Sequence, residues 1–190
     1  STPGAVHAWE AMNERFGTMS WADVLQPAIE AAEKGYILNE DISRFIKMAF
    51  RGFSDYTQQI YGEEGQPLKT GDRLIHKDLA NTLKVLADKG ASAIYGGSLG
   101  QAIEDAMKSS GGFLAMKDLE NHVAEWWKPL HLEYNGYDVF TPSAPAGAFP
   151  MLMRLGMMDL LKSRDMGHNS LEYLHHFAEI TKLAYWHRLA

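Results

Sequence analysis

Leu130-His131-Leu132-Glu133-Tyr134, then Asn135-Gly136, then Tyr137-Asp138-Val139-Phe140 is the stretch that decides the fold class. Apolar and polar residues alternate along both arms, the period of a half-exposed strand. The central Asn-Gly pair favours a type I′ turn, whose twist matches that of two paired strands. A β-hairpin is therefore predicted over residues 130–140, and it is the one clear β signal in the chain. Outward from it, the pattern changes to helical punctuation on both sides.

Upstream, Ala5, Ala8, Trp9, Met12 and Phe16 recur at helical spacing, and Gly17 is suited to end that helix. Ser20-Trp21-Ala22-Asp23 is a near match to a capping box, with Asp in the place of the usual Glu. The helix it starts is expected to pause at Pro27, which removes a backbone donor, and to end at Gly35. Asn39 is placed to cap a helix reaching Phe50. Residues 52–72, rich in Gly, polar groups and Tyr, read as mostly loop. A helix follows over 77–89, with Leu79, Thr82, Leu83 and Leu86 on one side and Gly90 at its end. Ser98 is placed to cap the next helix, closed by Gly111-Gly112. Downstream of the hairpin, Pro142, Pro145 and Pro150 bracket a loop, and helices are predicted over 151–162 and 170–189.

The chain has 190 residues, enough for one large or two small domains. Its 18 basic residues against 24 acidic ones give a net charge of −6. That sign argues against nonspecific nucleic-acid binding, which relies on Lys and Arg at phosphates. With no cysteine there is no disulfide framework, no thiolate metal site and no Cys nucleophile. No run reaches the roughly 18 apolar residues of a membrane-spanning helix. The nearest approach, residues 150–161, is broken by Arg154, Gly156 and Asp159.

Local motifs are few, and each has two readings. Glu172, His175, His176 and Glu179 share a helix face, suited either to a metal ion or to a solvated ion-paired surface. Gly96-Gly97-Ser98-Leu99-Gly100 leads into a helix, offering backbone N–H groups to an anion or making a simple turn. Trp126-Trp127 reads first as core packing and second as a stacking platform. Met151, Met153, Met157 and Met158 read as adaptable core. No Ser/His/Asp arrangement can be assembled.

A longer-range pattern carries more. In order along the chain stand Pro3-Gly4-Ala5-Val6, Trp9, Arg15-Phe16-Gly17, Trp21-Ala22-Asp23-Val24-Leu25-Gln26-Pro27-Ala28-Ile29 and Ala32-Glu33-Lys34-Gly35. Gly65-Gln66-Pro67-Leu68-Lys69, Gly71-Asp72, Asp78-Leu79-Ala80, Thr82-Leu83, Ile94-Tyr95-Gly96-Gly97 and Gly111-Gly112-Phe113-Leu114 follow. Then come Asp118-Leu119, Pro129-Leu130, the hairpin from Tyr134 to Phe140, Gly167-His168-Asn169-Ser170 and Lys182-Leu183-Ala184-Tyr185. This ordered set resembles the large subunit of the gamma-glutamyltranspeptidase family.

The resemblance implies an N-terminal nucleophile hydrolase with an αββα sandwich. Residues 1–190 would be a single helical region of its large subunit, mostly α with one β-hairpin (α+β), and a fragment with both ends truncated. The family's precursor cleaves itself and exposes a threonine whose hydroxyl attacks a γ-glutamyl amide, with its own α-amine as base. That threonine belongs to the small-subunit segment of the same precursor, the expected partner, and no catalytic residue transfers to this chain. The substrate would be a small-molecule amide; no cofactor, metal, nucleic acid or membrane span is called for. Ser1 raises a competing case, since its hydroxyl and amine sit on one residue; its place before an internal helix start argues against it. The family's frequent export suggests the periplasm or secretion, but no stretch of the sequence is an address, and the cytoplasm stays open.

Departures from the family pattern fall where substrate choice is expected. A proline run followed by Ser-Ser-Gly-Gly is usual after the hairpin. Here the loop is Thr141-Pro142-Ser143-Ala144-Pro145-Ala146-Gly147-Ala148-Phe149-Pro150, so Ala146 and Gly147 stand at the paired serines. Ser143, Ala146 and Gly147 are therefore the candidate substrate-binding residues of a cleft loop. The departure puts glutathione chemistry in question and leaves open a related amidohydrolase or acylase, or a noncatalytic binding module. Two smaller departures are Trp186-His187-Arg188 for the usual Ala-Asp-Arg, and Ala115 for a helix-capping Thr.

Overall fold

A computed structural model describes residues 2–189, so Ser1 and its candidate role lie outside the described residues. The chain divides into two compact units, residues 1–124 and 125–190.

The first unit is built around helix pairing. Helix α1 (Ala5–Phe16) ends at Gly17 as expected. Helix α2 (Trp21–Lys34) starts at Ser20, whose side chain accepts from the Asp23 amide and donates to its carboxylate at 2.6 Å. It runs straight through Pro27, against the expected pause. An interior proline costs about 3 kcal/mol, so packing must offset it. Ile29 and Ala32 are buried, and α2 lies along helix α5 (Lys77–Lys89), with the Trp21 indole N–H donating to the Leu86 carbonyl at 2.8 Å. Gly35 and Gly90 close these two helices at φ of 75° and 68°, where any other residue is strained. Of the four side chains expected on the inner side of α5, Leu86 is buried but Leu79 is exposed; Ala80 takes the buried place instead.

Helix α3 (Glu40–Ala49) is capped by Asn39, which accepts from the Ile42 amide at 2.9 Å. The segment expected as loop, 52–72, carries more structure than its composition suggests. It contains helix α4 (Asp55–Tyr61), capped by Ser54, and the short pair β2 (Gly62–Glu63) with β3 (Gln66–Pro67). A second short antiparallel pair joins β1 (Tyr36–Ile37) to β4 (Arg73–Leu74). The reason is a nonlocal core: Leu38, Ile46, Phe50 and Leu74 are buried together, and Phe53, Ile60, Tyr61 and Leu68 pack against them. Scattered apolar residues in a polar stretch gain their order from that cluster.

Helix α6 (Ser98–Ser109) begins one residue earlier than a Ser98 cap requires, so Ser98 is its first helical residue and Gly97 its uncapped boundary. Helix α7 (Met116–Glu120) starts at Ala115, in extended geometry. Half of a capping box survives there: the Asp118 carboxylate accepts from the Ala115 amide at 2.9 Å, but alanine has nothing to return.

The second unit holds the hairpin and two helices. Strands β5 (Leu130–Tyr134) and β6 (Tyr137–Thr141) pair in register from Leu130↔Thr141 to Tyr134↔Tyr137. Asn135 and Gly136 have φ of 52° and 76°, the left-handed pair the turn requires. Helix α8 (Phe149–Leu160) starts two residues before the expected position, because Pro150 fits a first turn and is buried there. Helix α9 (Leu171–Leu189) is capped by Ser170, which accepts from the Tyr173 amide at 3.0 Å, and packs against α8. Leu152, Met158, Ile180 and Ala184 are the buried apolar residues of these two helices. The methionine run is split: Met158 is core, whereas Met151 is 40% exposed.

Candidate substrate-loop site

Strand β6 ends at Thr141, which is buried, and the chain leaves it through Pro142 and Ser143. A turn follows in which the Ala146 amide donates to the Ser143 carbonyl at 3.0 Å across a cis Ala144–Pro145 bond. Gly147 and Ala148 then lead into α8. The hairpin and α8, which pack on each other, thus hold both ends of this loop. A loop anchored at both ends on regular structure can position side chains at low entropic cost.

Beside the loop is an open cleft of about 380 Å³ lined by Trp127, Pro129, Phe140, Thr141, Pro142 and Ser143. Its walls are apolar, and Ser143 is half-buried at its edge. Trp126 and Trp127 are 52% and 54% exposed, which corrects the reading of this pair as core. They precede β5 and fall outside its alternation, so no inward position is available to them. The Trp127 indole N–H donates to the Glu125 carboxylate at 2.7 Å, which orients the ring. Phe140 stacks on His131 (centroids 4.8 Å apart), and His131 Nε2 meets the Asp138 carboxylate at 2.6 Å.

The three candidate substrate-binding residues occupy one loop but do not face one space. Ser143 lines the cleft, Ala146 is half-buried, and Gly147 is exposed. A side chain at Gly147 would meet the Arg188 guanidinium, whose Nη2 lies 3.2 Å from where a Cβ would stand. Sequence reading missed Arg188 as a neighbour of this loop. Its only signal was the departure at Trp186-His187-Arg188, because 41 intervening positions separate Gly147 from the end of α9. A second cation, Arg154 on α8, lies over the Phe177 ring at 5.7 Å and has a buried Nε with no hydrogen-bond partner. The loop thus combines an apolar recess, the hydroxyl residues Thr141 and Ser143 and a nearby guanidinium, a set suited to holding an acyl chain with an anionic end.

Among the described residues no Ser or Thr hydroxyl is hydrogen-bonded to a histidine. The Glu172/His175/His176/Glu179 face is taken up locally. His176 Nδ1 donates to the Glu172 carbonyl at 2.8 Å and Glu179 pairs with Lys182 at 2.5 Å. The Lys182 ammonium beside it holds the Glu179 carboxyl below the usual carboxylate range. Among the described residues no group of three His, Asp or Glu converges as a metal site. The glycine run 96–100 serves close packing: a Cβ at Gly97 would stand 2.7 Å from the Ala93 carbonyl oxygen, and one at Gly100 would overlap the Ile94 carbonyl oxygen.

The model of the gamma-glutamyltranspeptidase family matches residues 1–190. The chain belongs to that family. It is 35% identical over 190 residues to the acylase ACY 1 proenzyme of Pseudomonas sp. (strain V22), covering 97% of this chain and 34% of that protein. It is 30% identical to the glutathione hydrolase-like YwrD proenzyme of Bacillus subtilis (strain 168), covering 99% of this chain and 36% of that protein. The crystal structure of Helicobacter pylori gamma-glutamyltranspeptidase superposes with a TM-score of 0.90 at 30% identity, over 97% of this chain and 54% of that one. The chain therefore spans about a third of the length of these curated relatives. Its architecture, mostly helical with a hairpin, is the helical portion of an N-terminal nucleophile hydrolase. The two extra strand pairs are additions to the single hairpin expected from sequence.

Proposed function

We propose that residues 1–190 are the middle part of the large subunit of an enzyme that cleaves γ-glutamyl amides, with its nucleophile carried by a small-subunit segment outside this sequence. In that reading a terminal Thr Oγ attacks the amide carbonyl carbon and the C–N bond breaks. The amine leaves with a proton, and water then hydrolyses the resulting ester. The observation that carries the reading is the family match over the whole chain. Exposed apolar side chains support the partner: Leu171, Trp186 and Leu189 on α9 are 87%, 73% and 84% exposed, more apolar surface than a helix face normally leaves to water.

A related acylase is the second reading, favoured by the loop. Alanine and glycine at 146 and 147 remove two hydroxyls from the position of the paired serines, while Trp127 and Phe140 offer apolar surface. The likeness to an acylase proenzyme points the same way.

Assaying the full-length protein and this chain separately on a γ-glutamyl chromogenic amide tests the main reading. The full-length protein is expected to turn over with an acyl-enzyme burst and the chain to match the blank. Turnover by the chain that disappears in Ser1→Ala would overturn it. Ala146→Ser with Gly147→Ser in the full-length protein tests the loop. The ratio of γ-glutamyl to other amide hydrolysis is expected to rise, and an unchanged ratio would make the loop a simple connector.

A further inference from the structure

Away from the loop, three rings from distant parts of the first unit meet. His7 is the third residue of α1, Tyr95 follows the 3-10 turn Ala91–Ala93, and His122 lies just after α7. Tyr95 stacks on His122 with centroids 5.1 Å apart and packs against His7 at 4.8 Å. Its hydroxyl donates to the Pro3 carbonyl at 2.9 Å and accepts from the His7 amide at 3.4 Å. The two imidazoles present the same nitrogen to each other: His7 Nδ1 and His122 Nδ1 are 3.3 Å apart.

We infer that His7 and His122 form a two-histidine clip for a divalent transition-metal ion such as Cu²⁺ or Zn²⁺, held through both Nδ1 atoms, with water completing the coordination. The separation is the first argument. Protein N–H hydrogen bonds cluster at roughly 2.7–3.2 Å, so 3.3 Å is long for one imidazole donating to another. Two nitrogens each about 2.0–2.1 Å from a tetrahedral metal stand about 3.3–3.4 Å apart.

The surroundings hold the rings in place. A side chain at Gly4 would overlap His122 Nε2, so the absence of one lets the ring lie under the start of α1. Tyr95 braces both rings and has its own hydroxyl occupied, which leaves it a positioning residue rather than a ligand. Both rings are half-buried, which keeps the outer side open to water.

Cu²⁺ alone is the probe, added to the full chain carrying His175→Ala and His176→Ala to remove the competing helix pair. Electron paramagnetic resonance is expected to show one Cu²⁺ per chain with splitting from two imidazole nitrogens. His7→Phe and His122→Phe keep a ring against Tyr95 but remove the nitrogen; each is expected to weaken Cu²⁺ at least tenfold. Zn²⁺ is expected to raise the melting temperature of the parent and of neither Phe variant, since a ion that binds only the folded state stabilises it. A one-nitrogen spectrum, or affinity unchanged in the Phe variants, would overturn the assignment. The spectrum of the parent decides the case even if a variant fails to fold.

Discussion

Gly100→Ala sets two physical effects against each other and has a sign that only the tertiary structure supplies. Alanine favours a helix over glycine by about 1 kcal/mol, and Gly100 is in the first turn of α6, so propensity alone predicts stabilisation. The structure predicts the reverse. Gly100 is buried, and its new Cβ would overlap the Ile94 carbonyl oxygen, with Met116 Sδ at 3.1 Å and the Ile94 carbonyl carbon at 3.2 Å. A methionine sulfur can swing aside; a backbone carbonyl cannot, because Ile94 is held by its amide on the Ala91 carbonyl at 2.9 Å. Overpacking of this kind costs about 1–3 kcal/mol, and more where backbone must move. Net of the propensity gain this leaves a loss of about 0–2 kcal/mol, placed at the upper end because it is backbone that must move. Gly52→Ala is the control, since its Cβ would meet nothing within 4 Å; a gain of about 0.4–1 kcal/mol is expected there. Urea unfolding followed by circular dichroism reads both. A higher midpoint for Gly100→Ala, with an unchanged slope, would refute the close-packing account of the glycine run and reopen its reading as an anion cradle.

Ala115→Thr should stabilise by about 1 kcal/mol, because a hydroxyl at an extended N-cap completes the box that Asp118 already half makes; urea unfolding measures it, and no gain would mean the cap is not limiting. Glu104 accepts from the Lys108 ammonium at 2.9 Å and from the Met116 amide at 3.1 Å, and these bonds, Lys108 first, hold its carboxyl below the usual range. A lowered folded pKa means the stabilisation is full at neutral pH and lost as pH falls through that pKa. Glu104→Gln should therefore lower the melting temperature near neutrality and flatten its fall in acid, and an acid limb identical to wild type would contradict this.

The hairpin shows what local chemistry is able to specify. Asn135 and Gly136 adopt positive φ because few other residues do so without strain, and alternation on both arms leaves one register available. The caps at Ser20, Asn39 and Ser170 belong to the same class, since each is a side chain bonding an amide three residues on. Family membership was also legible, because the matching segments are spread in order over the chain. The candidate loop was legible only as a departure from that pattern, not as a shape.

Where the reading failed, the deciding interaction crosses long stretches of sequence. Pro27 stays helical because α2 packs on α5, and α4 forms because Ile60 and Tyr61 pack against the cluster of Leu38, Ile46, Phe50 and Leu74. Trp127 walls a cleft, Arg188 reaches Gly147, and His7 meets His122 through contacts no window of neighbouring residues contains. The hairpin turn, the caps at Ser20 and Asn39 and the family could be read from the residues in order, because they depend on φ preferences, hydrogen bonds within one turn and ordered motifs. Which apolar residues are buried and which groups converge came from the folded chain alone, because burial and convergence depend on distances between elements rather than on spacing along the chain.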